Sequence, residues 1–144
     1  QKRIKINKGD TVLDVYRKTT RKGQQLLKDF CQQIGSRKLV GHKQAVASAT
    51  YYPPRTPKDG KINWCEPAEK IYNLVRALTF PYPGAYFYFR KKKLIIEECK
   101  VLKTGPSKLV LGQPILKNKT CLVKTGTGFL QILKFRNQKI SDFC

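Results

Sequence analysis

Residues 62–86 read INWCEPAEKIYNLVRALTFPYPGAY and place the chain's only tryptophan, Trp64, next to a compact helical pattern. Pro67 suits the first turn of a helix, where a missing backbone N–H is tolerated. Two prolines forbid continuation beyond Thr79, and Gly84 permits a sharp turn into a strand. The stretch therefore predicts a helix pinned onto a sheet, with Trp64 packed under the helix. The predicted buried face is made of residues at helical spacing: Ala68, Ile71, Tyr72, Val75, Leu78 and Thr79.

The sequence after Gly84 has the short apolar runs of a β region, separated by Gly, Pro and Asn turns. Residues 90–92 (RKK) predict a basic hairpin turn. TGTG at 125–128 favours a turn between strands over a phosphate loop, because no helix follows it. Five short strands with one helix indicate a small, partly open β-barrel of the OB type. The predicted strands are AYFYF (85–89), KLIIEECKVL (93–102), KLVLG (108–112), TCLVKT (120–125) and FLQILKF (129–135).

The first 35 residues predict a strand at RIKI (3–6) followed by a long amphipathic helix. Thr11 has the character of an N-cap, with Asp14 three residues on in a capping-box-like pattern. Apolar residues then recur every three or four positions as far as Ile34, and Gly35 ends the helix. So short a segment offers little to cover an apolar face. We therefore expect the helix to pack on the rest of the chain or on a missing neighbour.

Residues 36–61 are predicted to form an extended linker. Three prolines and the Asp59-Gly60 turn in YYPPRTPKDG (51–60) argue against regular structure there. The predicted fold class is therefore α+β: a long N-terminal amphipathic helix, an extended linker, and a small OB-like barrel that carries one helix. The corresponding divisions are 1–35, 36–61 and 62–144.

The chain is strongly basic, with 30 lysines and arginines against 9 acids and a net charge of +21. The positive excess is present in every third of the chain, and so strong a field suits a polyanionic partner. RNA is favoured over an acidic membrane surface, because no helix is both basic and strongly lipid-facing. No run approaches the roughly 20 apolar residues of a membrane span. An ordinary solvated hairpin at 90–93 is an equal alternative. The predicted RNA-binding residues are Arg90, Lys91, Lys92, Lys93, Lys117 and Lys119.

Residue types with metal-binding or catalytic chemistry do not cluster in this sequence. The five cysteines are widely spaced and His42 is the only histidine, which disfavours a metal site. We expect most of the thiols to be core residues in a reducing compartment, either the cytoplasm or the mitochondrial matrix. Glu97 and Glu98 are neighbours on a predicted strand and point to opposite faces, so they do not form an acid–base pair. We therefore expect no catalytic residue and no metal in this chain.

Several stretches resemble the 10-formyltetrahydrofolate-dependent formyltransferases. INWCEPAEKIYNLVRALTFPYPGAYFYF (62–89) is similar to the opening of that family's C-terminal domain, which has Ile-Asp-Trp, Pro-Ala, an Asn…Arg-Ala run and Pro-x-Pro-Gly-Ala. INKGDTVLDVYRKTTRKGQQLLKDF (6–30) looks like the last strand and helix of the family's catalytic domain. CLVKTGTGFLQILKF (121–135) resembles the closing hairpin. The matching central residues are Ile62, Trp64, Pro67, Ala68, Asn73, Arg76, Ala77, Pro81, Pro83, Gly84 and Ala85, with Asn63 in place of the usual Asp.

The resemblance implies that the chemistry belongs to an upstream folate-binding domain. In that family an Asn, a His and an Asp catalyse the transfer, and all three lie before the residue that matches Gln1. No catalytic residue therefore carries over, and whether this chain is part of an enzyme stays open. The resemblance implies 10-formyltetrahydrofolate as co-substrate of the full-length enzyme and no cofactor in this chain. Because the sequence starts at Gln1 and lacks methionine, we expect a processed chain or a piece of a longer one.

Three functions stay open. The first is the RNA-binding C-terminal part of a methionyl-tRNA formyltransferase-like protein, which positions tRNA for formyl transfer by a missing catalytic domain. The second is the C-terminal part of a sugar-nucleotide N-formyltransferase, since RTPKDGKINW (55–64) resembles the connector of that branch and Arg55 would face the substrate. The third is a non-catalytic RNA-bound structural component, for instance of an organellar ribosome, held by ribosomal RNA and neighbouring protein subunits. Charge favours the first over the second, because a sugar nucleotide does not require +21.

Overall fold

The computed structural model describes residues 1–34, 41, 43, 45–106, 108–117 and 120–137. The chain divides into two compact units, Gln1–Arg55 and Thr56–Cys144. The first unit contains one α-helix and a 3-10 turn, and the second contains a 3-10 turn, one α-helix and a five-stranded sheet. The predicted α+β class is confirmed.

The helix of the first unit, α1, runs from Val12 to Ile34. Asp14 holds its first turn: the carboxylate accepts hydrogen bonds from the backbone N–H of Thr11 at 3.0 Å and from the Thr11 hydroxyl at 2.7 Å. These bonds stabilise the charged form and lower the pKa of Asp14. No residue of α1 is buried, and the apolar side chain of Leu27 is 63% exposed. Within this unit the apolar face of α1 is therefore uncovered.

The strand predicted at 3–6 is wrong. Residues 1–7 have no regular secondary structure. A strand is stable only beside a partner that supplies backbone hydrogen bonds, and the described sheet contains none of these residues. Alternation of apolar residues indicated a half-buried segment but could not supply the partner. Gly35, the predicted end of the helix, lies outside the described residues.

The sheet of the second unit is antiparallel throughout, with the strand order β1-β2-β5-β4-β3. Its two edges are therefore β1 and β3. Irregular pairing between residues 96 and 99 of β2 marks a bulge, which bends a strand and increases its twist. The sheet accordingly curls into half a barrel. The strands are β1 (Ala85–Phe89), β2 (Lys92–Leu102), β3 (Pro114–Lys117), β4 (Thr120–Lys124) and β5 (Phe129–Phe135).

The strand predicted at 108–112 is also wrong, because the third strand begins at Pro114. Gly112 adopts φ of 72°, a left-handed conformation that interrupts an extended segment. Before it, Leu111 forms only an isolated bridge to Lys124. β3 is an edge strand and Pro114 is its first residue, where a missing N–H is tolerated.

The helix of the second unit, α2, runs from Ala68 to Leu78 and lies against β2, with further contacts to β1 and β5. The predicted buried positions Ala68, Ile71 and Val75 are confirmed, whereas the other three predicted positions are partly exposed. The helix and the inner face of the sheet enclose one apolar core. Its most deeply buried large side chains are Leu94, Ile96, Val123, Leu130 and Ile132.

Trp64 anchors the segment that leads into α2. Its ring packs edge-on against Phe87 of β1, with centroids 5.1 Å apart, and it lies against the apolar core. Gly112 passes so close that a Cβ there would lie 3.0 Å from the Trp64 ring. Trp64 therefore packs against the core as an anchor, and the ring contact that holds it is with β1.

The TGTG segment is the turn between β4 and β5, as predicted, and it docks on the start of α2. The Gly126 N–H donates to the carbonyl oxygens of Trp64 and Glu66 at 2.9 and 3.1 Å. The Ala68 N–H, in the first turn of α2, donates to the carbonyl of Thr127 at 3.0 Å. A Cβ on Gly126 would lie 1.9 Å from the Cys65 carbonyl oxygen, so only glycine fits here.

The end of the predicted linker contains more regular structure than the prolines suggested. Pro57–Gly60 form a 3-10 turn, in which the Asp59 carboxylate accepts hydrogen bonds from the backbone N–H and hydroxyl of Thr56. Proline is compatible with the first residue of such a turn because its missing N–H has no partner there. The Ile62 N–H then donates to the carbonyl of Tyr86 at 2.7 Å. Residues 57–62 are thus tied to the outer edge of β1.

We predict that Gly126→Ala destabilises the second unit by about 1–3 kcal/mol, because the added methyl group collides with backbone that cannot move alone. Trp64 fluorescence during urea unfolding reports this unit directly. Gly23→Ala in α1 is the control, since a Cβ there meets nothing within 4 Å, and it should leave the Trp64 transition in place. Equal midpoints for the Gly126 variant and the parent chain would contradict the docking contact.

Candidate functional site

The turn between β1 and β2 has an unusual composition for its backbone conformation. Phe89 pairs with Lys92, so the turn consists of Arg90 and Lys91, with φ of 46° and 64°. Two left-handed residues define a type I′ turn, for which Asn-Gly is strongly preferred. A residue with a Cβ in this conformation costs about 1 kcal/mol. Turn geometry therefore does not explain why two cations stand here.

Aromatic rings lie beside the cations of this hairpin. The guanidinium carbon of Arg90 is 5.3 Å from the centroid of the Phe89 ring. The Lys93 Nζ is 4.0 Å from the centroid of the Tyr86 ring, within the range of a cation–π contact. Tyr88 packs edge-on against Tyr86 at 5.8 Å and is itself 58% exposed. The hairpin thus combines positive charge with an accessible aromatic ring.

The hairpin cations are not neutralised within the described part of the chain. None of the four residues at 90–93 has a carboxylate within 4.0 Å there. The carboxylates pair with other residues, and those pairs include Lys2–Asp29, Arg17–Asp14, Lys70–Glu66 and Lys134–Glu97. We call residues 90–93 the hairpin cluster.

The structure gives less information about the other predicted site residues. Lys117 is the last residue of β3, the edge strand opposite β1, and Lys119 lies outside the described residues. Arg55 is exposed and is the last residue of the first unit. His42 also lies outside the described residues. The structure therefore brings Arg90 to Lys93 together and leaves the remaining assignments as predictions.

A cavity of about 200 Å³ was not anticipated from the sequence. It lies on the inner side of the curled sheet and touches both edge strands. Phe87, Phe89 and Phe135 supply aromatic walls, and the polar side chains at the cavity are those of Arg90 and Gln113. Its position depends on where β3 begins, and the sequence misplaced that strand. The alternating phenylalanines of β1 were the available signal.

The described cysteines are all free thiols, and half of them are exposed. Cys99 and Cys121 are buried, as expected of core thiols, but Cys31 and Cys65 are not. Burial raises the pKa of Cys121 to about 11 and that of Cys99 to about 12. Both stay protonated near neutral pH and are poor nucleophiles.

Neither metal ligands nor membrane-spanning helices were found in the described part of the chain. No three or more His, Cys, Asp or Glu side chains come together there in a way that could hold a metal ion. Neither of its two α-helices is long and apolar enough to cross a membrane.

Glu97 belongs to a structural cluster that holds the proline-rich turn before β1. Its carboxylate accepts from Lys134 at 2.9 Å and from Arg136 Nε at 3.2 Å. Arg136 Nη1 in turn donates to the carbonyls of Tyr82 and Pro83, both at 3.1 Å. The hydrogen bond from Lys134 is the main cause of the lowered pKa of Glu97, and Arg136 adds to it.

Comparisons with protein families and with solved structures found proteins that are similar to this chain. Residues 55–143 match the family described as formyl transferase, C-terminal domain. The N-formyltransferase of Helicobacter canadensis, solved with folinic acid and dTDP-3-aminofucose, is similar at 21% identity and a TM-score of 0.63, over 91% of this chain and 47% of that protein. WlaRD, a sugar 3N-formyl transferase solved with dTDP and 5-N-formyl-THF, is similar at 21% identity and a TM-score of 0.62, over 92% of this chain and 47% of that protein. A variant of HypX from Aquifex aeolicus is similar at 14% identity and a TM-score of 0.53, over 78% of this chain and 20% of that protein. The chain thus spans less than half the length of these proteins.

We predict that Glu97→Gln lowers the stability of the second unit by about 1 kcal/mol at neutral pH, because two charge-assisted hydrogen bonds lose their anion. Since the pKa of Glu97 is lowered on folding, its ionised carboxylate stabilises the folded second unit at pH values above the ordinary carboxyl pKa. It is lost as the pH falls through the lowered value. The difference between variant and parent should therefore vanish in acid.

The matched control is Glu98→Gln, which removes the same charge from the neighbouring exposed residue. Urea midpoints followed by Trp64 fluorescence at neutral and acidic pH measure both variants. A Glu97 variant no less stable than the Glu98 variant at neutral pH would show that the cluster does not stabilise the turn.

Proposed function

The chain belongs to the formyl transferase C-terminal domain family, and on that premise we propose that it positions tRNA for formyl transfer by a separate catalytic domain. In this proposal it is the RNA-binding portion of a methionyl-tRNA formyltransferase-like protein. The co-substrate, 10-formyltetrahydrofolate, binds to the catalytic domain. The residues of this chain hold RNA and make no covalent change.

The observation that carries the proposal is the unneutralised hairpin cluster. Arg90 and Lys91 occupy a turn whose backbone favours Asn-Gly, so their charge is the property that explains them. The second unit as a whole has 17 lysines and arginines against 6 acids. Such an excess of positive charge favours binding to a nucleic-acid backbone, because each phosphate contact releases counterions.

The curled sheet supports the same assignment. Five antiparallel strands around an apolar core, with one helix, fit a small OB-like, partly open barrel, a fold that commonly binds oligonucleotides. The exposed ring of Tyr88 offers a face on which an unpaired base can stack.

The uncovered face of α1 supports the separate catalytic domain as a partner. Within the first unit, Leu27, Phe30 and Ile34 are exposed at helical spacing, and a soluble helix with such a stripe normally packs it against another element. We infer that the apolar face of α1 packs against another part of the larger protein of which this chain would be the C-terminal part.

A sugar-nucleotide N-formyltransferase is the second candidate. Two of the similar structures are N-formyltransferases solved with dTDP or a dTDP-linked sugar, and the similarity extends over more than 90% of this chain. Arg55 would then face the substrate. A dTDP-sugar carries only a diphosphate, so this candidate leaves most of the positive charge without a function.

We predict that the chain binds tRNA with a steep dependence on salt. Six to ten phosphate contacts lose about 10³- to 10⁵-fold in affinity between 50 and 200 mM salt. Replacing Arg90, Lys91, Lys92 and Lys93 by Gln should reduce the slope of log affinity against log salt by about 0.9 for each phosphate that these side chains neutralise. Fluorescence anisotropy of labelled tRNA over a salt series measures both quantities.

The charge-matched control replaces four exposed lysines elsewhere in the second unit by Gln: Lys58, Lys100, Lys103 and Lys108. A flat salt dependence, or the same slope change in both quadruple variants, would refute the hairpin cluster as the RNA contact. Binding of a dTDP-linked amino sugar in place of tRNA would establish the second candidate.

A further inference from the structure

The cavity inside the curled sheet has the size and walls of a site for one ring. Pockets for drug-sized ligands occupy about 300–1,000 Å³, whereas this cavity occupies about 200 Å³. Phe87 and Phe135 line it from the core: each is 3% exposed, and they pack on each other with centroids 6.3 Å apart, whereas the ring of Phe89 is partly exposed. A partly exposed aromatic ring such as that of Phe89 can stack with a base of any sequence, because every base has a π-face.

The polar side chains at the cavity fit the remaining parts of a nucleotide. Arg90 is a fixed positive charge with several donors in one plane, a geometry that suits phosphate. The Gln113 side chain carries both a donor and an acceptor, which suits the edge of a base. Cys121 also lines the cavity and is buried, so that part of the wall is uncharged.

Arg90 belongs both to the cavity and to the hairpin cluster. A nucleic-acid strand that follows the cationic hairpin therefore passes a ring-sized cavity at the same residue. A paired base cannot enter without leaving its stack, which costs a few kcal/mol, whereas an unpaired base enters at little cost. An unpaired residue is thus the part of an RNA that fits.

We propose that this cavity receives one unpaired nucleotide of the bound RNA, with its base on the ring of Phe89 and its phosphate at Arg90. The proposal rests on the proposed function, since it takes RNA as the partner. It assigns a different task to Arg90 than to Lys91, although both stand in the same turn with left-handed φ and the same charge. Arg90 lines the cavity and Lys91 does not.

The test uses the full chain and two RNA duplexes with the same paired stem. One carries a single unpaired 3′ nucleotide, 2-aminopurine, and the other is fully paired. We expect the parent chain to bind the overhang RNA about tenfold more tightly, as one stacked base supplies, and to quench the 2-aminopurine fluorescence.

Arg90→Gln should remove both the preference and the quenching. Lys91→Gln should weaken the two RNAs equally and keep the preference. Leu116→Phe, which fills the cavity from β3 without changing charge, should also remove the preference and leave binding of the paired RNA intact.

Equal binding of both RNAs by the parent chain with unchanged fluorescence would overturn the cavity assignment while RNA binding itself stood. Identical behaviour of the Arg90 and Lys91 variants would overturn it as well. Failure of the parent chain to bind either RNA would overturn the proposed function and this assignment together.

Discussion

A backbone contact between the β4–β5 turn and the start of α2 is the constraint on which the second unit depends. Gly126 approaches the Cys65 carbonyl too closely for any side chain, and its N–H holds two carbonyls of the same segment. This contact fixes the position of the first turn of α2. Trp64 fixes the preceding segment against β1 through its packing on Phe87. The apolar side of α2 then has one place to lie, over β2, and the core closes beneath it.

With one side of the sheet committed to that core, the charges are displaced to its turns and outer side. The acids are too few to neutralise them, and several are used to cap turns or to hold the proline-rich segment, as Asp14, Asp59 and Glu97 do. The positive excess left over is a property of the fold as much as of the composition. In the hairpin cluster it occurs at residues whose backbone conformation would be better served by Asn and Gly.

Local chemistry was sufficient to predict the elements that carry their own start and stop signals. Pro67 and the later prolines delimited α2. Gly, Pro and Asn turns, together with the basic run at 90–92, delimited β1, β2, β4 and β5. The errors occurred where a neighbouring strand, distant in the sequence, determines whether a segment forms a strand. Residues 3–6 alternate like a strand but lack a neighbour, while the strand predicted at 108–112 lies instead at 114–117, where it pairs with β4. The cavity could not be predicted either, because it exists only once β3 is placed across from β1.

The two unjoined edges of the half-barrel raise a question of solubility. Exposed strand edges are templates for pairing with a second molecule, and natural sheets protect them with proline, lysine or a covering segment. Both edges here carry such protection: Lys61 and Ile62 cover β1 at Tyr86, and β3 opens with Pro114, which has no N–H to offer. The gap in the barrel can therefore stay open in a concentrated solution without seeding intermolecular β-sheet.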